Sequence, residues 1–331
     1  MKPLIQKFNA AFGADMGGPA IAFVAVMIIF GLAADNFLSL ATFGSVAFQL
    51  PELGLLTLAM LLPLLTGGIN LSVTFAANLS GLAAAWVFQA YGGAEASGGV
   101  FVLACMAALA TGGAAGALTG VAIAYTRAHP ILVTLSMMIF LRGLGEFLTR
   151  GGDVSGFPDY IAPIGHGSLF GLPIPLLIFI LCVAAWHVLL TRAKLGFGLL
   201  MIGSNIEAAD YSGLNSRKIL VLVYTLSGLM CAVAGLIMLA RFNSVRVGHG
   251  ESYLLITVLA AFLGGINPFG GFGRVLPVFV ALIVLQLVSS GLNLMGANQH
   301  LATALWGVLM IVVMATRAFA SSFRLFLRKK A

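Results

Sequence analysis

The sequence predicts an all-α fold, a polytopic transmembrane helical bundle of about ten membrane segments (eight to ten), some of them broken or re-entrant. Two observations carry this. Apolar residues make up 60% of the 331-residue chain and charged residues only 8%, whereas soluble domains carry about a quarter charged residues. Ten apolar runs of near-spanning length follow one another along the chain, and a spanning helix needs about 20 such residues. With so few charges the surface cannot be covered by polar groups, so lipid must cover it. The 41 glycines fit the same solvent, because small residues let transmembrane backbones approach closely.

The runs lie near 19–34, 40–66, 71–91, 98–126, 131–149, 174–191, 219–240, 253–266, 274–292 and 298–317. The second is interrupted by Pro51 and Glu52, which leaves open one kinked helix or a re-entrant piece plus a helix. The eighth is short and ends in a glycine-rich stretch. Lys2 and Lys7 precede the first run without a cleavage pattern, so that run is expected to be a retained helix.

Basic residues set the orientation. With the N-terminus in the cytoplasm and ten crossings, the inside segments hold Lys2, Lys7, Arg127, Arg192, Lys194, Arg217, Lys218, Arg274, Arg317, Arg324, Arg328, Lys329 and Lys330. The outside segments hold Arg150, Arg241 and Arg246. This bias satisfies the positive-inside rule with both termini cytoplasmic, and it accounts for the net charge of +7 without a nucleic-acid partner.

The whole chain, 1–331, reads as one transmembrane domain. An outer loop is expected over 150–173, rich in Gly and Pro. Residues 192–218 form a polar cytoplasmic segment with a short helix near 206–211, capped by Asn205 or Ser204 and ended by Gly213. The tetrapeptide GGIN occurs at 67–70 and again at 264–267. Each follows one apolar run and precedes another, which suggests a parallel internal repeat around 40–91 and 253–292.

Catalytic chemistry finds no foothold. The five histidines are scattered, no catalytic or phosphate-binding motif occurs, and Cys105, Cys182 and Cys231 sit singly in apolar runs. No catalytic residue, metal ligand or cofactor site is assigned, and the chain is read as no enzyme. At membrane depth the ionisable residues are Glu52, Arg142 and Glu146, the last two one helical turn apart and able to neutralise each other. The GGIN turns offer neutral polar groups instead. Thr66, Asn70, Ser72 and Asn78 surround the first, and Asn267 closes the second. Uncharged donors and acceptors at a helix break suit the path of a polyhydroxylated solute; close helix packing is the alternative use of such residues.

Four stretches resemble one known family. LLTGGINLSV (64–73), HPILVTLSMMIFLRGL (129–144), MIGSNIEAADYSGLNSRK (201–218) and LAAFLGGINPFGGFGRV (259–275) are similar, in order, to signatures of the monosaccharide-type ATP-binding-cassette (ABC) permeases. That group includes the ribose, xylose, arabinose and autoinducer-2 importers. The resemblance implies a permease subunit in a bacterial inner membrane that imports a monosaccharide or similar solute. Its implied partners are a second permease, identical or not, a cytoplasmic ATPase with two fused nucleotide-binding halves that holds the ATP, and a periplasmic solute-binding protein. It also implies that Gly203, Asn205, Ala208, Ala209, Ser212, Gly213 and Leu214 belong to a segment that docks into the ATPase. The chain departs from the family pattern at Asn70, where Asp is usual, at Val73-Thr74, where Val-Gly is usual, and at Ile266-Asn267-Pro268, where Thr-Ser is typical. These departures keep a nucleoside, base or other small solute open.

Overall fold

The computed structural model describes residues 16–329, and residues 299 and 316–329 by their backbone alone. The expected runs fold as helices: α1 (Gly17–Ala33), α2 (Leu40–Leu65), α3 (Val73–Ala90), α4 (Gly98–Thr126), α5 (Pro130–Thr149), α7 (Ile174–Arg192), α10 (Ser216–Phe242), α11 (Tyr253–Leu263), α12 (Val275–Leu294) and α13 (Gln299–Lys329). Among the described residues, seven of these are long and apolar enough to cross a membrane; α1, α11 and the His300–Ala315 part of α13 are shorter apolar stretches. The expected cytoplasmic N-terminal lysines, Lys2 and Lys7, and Lys330 lie outside the described residues.

The second run is a single helix. Pro51 and Pro63 both lie inside α2, each removing a donor from the ladder. From Leu50 to Leu65 every α2 residue is buried, so neighbouring helices hold it as one continuous helix through both prolines.

The bundle is built around α10, which packs along α2, α3 and α4. Small residues set the α4–α10 distance. A Cβ on Gly112 would fall 2.4 Å from the Gly228 carbonyl oxygen, and one on Gly116 2.2 Å from that of Tyr224. Gly112, Gly116 and Gly120 recur every fourth residue, one face of a helix, and all three press on α10. Helix α5 is the opposite case, with only Thr134, Leu141 and Gly145 buried, so its remaining face is left to lipid or another chain.

The connections gather at two ends. At one end β1 (Val154–Ser155) pairs antiparallel with β4 (Ser244–Val245) from the loop after α10, in the register Val154 to Val245. Between them in sequence lie the short helix α6 (Ala162–His166) and a small hairpin of β2 (Ser168–Leu169) and β3 (Leu172–Pro173). The 150–173 stretch is therefore an ordered cap, with the His166 ring bonded to the Arg241 carbonyl at 2.7 Å.

At the other end the segment after α7 carries more helix than its composition suggests. Besides α9 (Ile206–Tyr211), residues Lys194–Ser204 form α8. Its glycines look like loop residues but serve contact. A Cβ on Gly196 would strike the Leu189 carbonyl at 2.4 Å, and one on Gly203 would strike that of Leu65 at 2.0 Å.

The two GGIN stretches both end helices, in registers one residue apart. After α2, Gly67 takes the left-handed conformation and Gly68 N–H bonds to the Pro63 carbonyl. After α11, Gly265 is the left-handed residue and Ile266 N–H bonds to that of Ala261. Each is a Schellman ending, so the first glycine of one tetrapeptide matches the second glycine of the other.

Candidate functional site

The end that holds α8 and α9 contains a cavity of about 960 Å³. Its buried wall is neutral, made of Ile123, Ala124, Ile202, Ser216, Leu220 and Tyr224, with Thr66 and Gly67 beside them. Its exposed mouth is charged, with Arg127, Glu207, Asp210 and Arg217. Arg217 lies over the Tyr125 ring at 5.5 Å, and Asp210 accepts a hydrogen bond from Ser216 Oγ.

Helix α9 is fastened to this cavity from both ends. Asn205 Oδ1 accepts from Ala208 N–H at 3.0 Å, an N-cap in a six-residue helix. Gly213, left-handed at φ +83°, closes it with Leu214 N–H bonded to the Ala209 carbonyl. Ala209 is fully buried against Ala124, Ile202 and Leu220, while Ala208, Ser212 and Gly213 are exposed. Of the seven residues matched to the docking segment, Ala209 and Gly203 therefore face into the protein. Ala208 and Ser212 face out, Asn205 caps, and Gly213, exposed, borders the cavity together with Leu214.

The residues expected around the solute path separate. Thr66 lines the cavity and donates to the Pro63 carbonyl at 2.8 Å. Asn70 is 3% exposed and fully engaged inside the chain. Its amide donates to Ser227 Oγ at 3.0 Å, and its oxygen accepts from Ser72 N–H and Ser72 Oγ. Ser227 in turn donates to the Ala59 carbonyl at 2.6 Å. Ala59 lies within α2 and Ser227 within α10, so the 66–72 segment folds back into the bundle, and its Asn70 side chain meets protein partners, as depth in a membrane requires. Asn78 donates to the Val247 and His249 carbonyls, tying α3 to the loop after α10. Asn267 makes a local turn, accepting from Phe269 N–H and donating to the Gly270 carbonyl.

The opposite end has a second hollow of about 550 Å³, walled by Arg142, Glu146, Arg246, His249 and Glu251. Arg142 pairs with Glu146 at 2.9 Å, as the spacing predicts, and also with Glu251 at 3.0 Å. Arg246 faces Asp153 at 3.6 Å. Burial holds the His249 imidazole below its ordinary range, with Asp153 drawing it up and Arg246 pushing it down.

Sequence reasoning missed three features. Glu52, 1% exposed, pairs with Arg241 at 2.9 Å and accepts from Tyr253; these residues are far apart in sequence, so no local signal links them. Tyr224 reads as one more apolar-run residue. The Gly112, Gly116, Gly120 spacing was legible and is the signal that could have been used.

The matching family model, described as "Branched-chain amino acid transport system / permease component", covers residues 42–314. The ribose import permease protein of Escherichia coli is 34% identical over 285 residues, 85% of this chain and 86% of its own length. The autoinducer 2 import system permease protein of Yersinia enterocolitica is 30% identical over 274 residues, 81% of each chain. No solved structure matches. With residues 42–314 matched, the chain belongs to this family of membrane transport permeases.

Proposed function

We propose that this chain is the translocation subunit of an ABC importer for a monosaccharide or a closely similar polyhydroxylated solute. The observation that carries this reading is its similarity to a ribose import permease along 85% of its length. The neutral buried wall of the inner cavity supports it, because a zwitterionic solute such as a branched-chain amino acid demands buried countercharges.

In this reading a second permease, this chain or a sister, completes the pathway. A cytoplasmic ATPase with two fused nucleotide-binding halves drives it, and a solute-binding protein delivers the cargo. Both termini and residues 192–218 are cytoplasmic, and α9 docks into the ATPase through Ala208, Ser212 and Gly213. Its rigid capping suits that task, since a partner can push only on an element that does not deform. Thr66 borders the solute path. The segment 1–331 works as one domain.

The test is uptake of labelled ribose into proteoliposomes. Accumulation is expected with the ATPase, the binding protein and ATP present, and none with the chain alone. Uphill accumulation by the isolated chain would refute the reading; accumulation of leucine or a nucleoside in place of ribose would reassign the solute. Ala208→Glu should abolish uptake and ATPase co-purification while the protein still inserts. Orientation is read with Tyr211→Cys and Phe170→Cys, both highly exposed in the native residues: the first should label from the cytoplasm and the second from outside.

A further inference from the structure

Tyr224 belongs to the wall of the inner cavity and is completely buried. Among the described residues two buried hydroxyls lack any hydrogen-bond partner, those of Tyr224 and Thr74. Both flank the same 66–72 turn. A hydroxyl shut away without a partner forfeits its bonds to water, and such a group in a native structure calls for a ligand, a water or a functional role.

The turn itself roofs the phenol. A Cβ on Gly68 would fall 2.4 Å from the Tyr224 oxygen and 3.0 Å from the Pro130 Cβ. Only glycine leaves the two surfaces in contact. The turn is also reached from the α8–α9 segment. Gly203 of α8 presses on the Leu65 carbonyl, the last residue of α2, and that carbonyl accepts from Gly271 N–H at 2.9 Å. Movement of α8 and α9 therefore bears directly on the helix end from which the turn springs.

We propose that the Gly67–Gly68 turn is the inner gate of the solute path, and that the Tyr224 hydroxyl hydrogen-bonds the polyhydroxylated solute when the turn withdraws. This rests on the function proposed above. The cavity beyond the gate, about 960 Å³, lies at the upper end of the about 300–1,000 Å³ usual for small-molecule sites, and the charged groups that line it are exposed at its mouth, whereas Tyr224 is buried. A neutral hydroxyl at the end of a neutral wall suits an uncharged sugar.

The test is Tyr224→Phe in the full assembly, with labelled ribose as the probe and thermal unfolding as the second readout. Uptake is expected to fall roughly three- to tenfold, the worth of one neutral hydrogen bond. The melting temperature should be unchanged or higher, since the hydroxyl makes no bond in the closed structure. Uptake equal to the unsubstituted assembly would overturn the proposal, and so would parallel loss of uptake and melting temperature, which would make the hydroxyl structural. Gly68→Ala should cut uptake, with part of the loss recovered when Tyr224→Phe is added; no recovery would remove Tyr224 from the gate. If the unsubstituted assembly moves neither ribose nor another sugar, the functional reading itself fails, a result distinct from any of these.

Discussion

Asn70 donates its side-chain amide to Ser227 Oγ across 3.0 Å, and Ser227 passes its own hydrogen to the Ala59 carbonyl. One relay thus joins the turn after α2 to α10 and back to α2. Residues 157 positions apart in sequence are held in the buried interior, and the asparagine's oxygen is spent on Ser72.

Asn70→Leu breaks this relay and leaves Ser72 N–H without its acceptor. The expected loss is about 1–3 kcal/mol for the stranded buried polar group, seen as a lower melting temperature in detergent. Asn70→Asp keeps the acceptor for Ser72 and should cost less. Equal loss for the two would show that the amide hydrogen bond to Ser227, and not the Ser72 turn, carries the effect.

The ion pair of Glu52 and Arg241 joins α2 to the last turn of α10, with Arg241 also donating to the Phe48 carbonyl at 3.1 Å. Arg241→Met leaves a carboxylate that is 1% exposed without its cation. Removing one partner of a buried pair costs about 3–5 kcal/mol. Adding Glu52→Gln should restore much of the stability, and a double variant no better than the single one would argue against the pair as the cause.

Gly116 meets the Tyr224 carbonyl with no room for a methyl group. Gly116→Val pushes backbone against backbone, and neither side has a flexible end to yield. Overpacking in a tight core costs about 1–3 kcal/mol or more, so poor recovery of folded protein is expected. Gly113→Val, which would press instead on the Leu229 side chain, should be milder. The ratio of monodisperse to aggregated protein after extraction measures both.

His249 titrates below its ordinary range because of burial, with Asp153 and Arg246 adding opposite smaller effects. Its ring faces Phe242 at 5.0 Å, and Glu146, Arg142 and Glu251 share the same hollow. A depressed imidazole means the unfolded chain binds the proton more readily. This contribution is fully present above about pH 6.5, the unfolded value, and is lost as pH falls from there toward the folded value. His249→Phe should flatten the fall in melting temperature below about pH 6.5; an unchanged slope would assign it to the neighbouring carboxylates.

The helix pattern was legible because apolar run length is a local property: α4 and α5 begin and end within a residue of the expected positions. The short helix after Asn205 was legible for the same reason, its cap and its terminating Gly213 both being local signals. Helix α8 was not, because its glycines argue for a loop until one sees what they press against. The solute-path residues were harder still. Asn70, Ser72 and Asn78 read as polar groups lining a path at a helix break; Ser72 is spent locally on Asn70, but the further partners of Asn70 and Asn78 are Ser227, Val247 and His249, which no nearby residue announces.

The sequence alone determined that this chain lives in lipid, how many apolar segments it has, which ends carry the positive charge, and to which permeases it is related. These follow from composition and from signals a few residues long. Only the tertiary structure decided which polar groups are satisfied and which are not: that Glu52 meets Arg241, that Asn70 is consumed by the fold, and that Tyr224 is left with a free hydroxyl behind a glycine turn. The physical reason is that a buried polar group is judged by its partners, and those are brought in by helix packing from hundreds of possible positions.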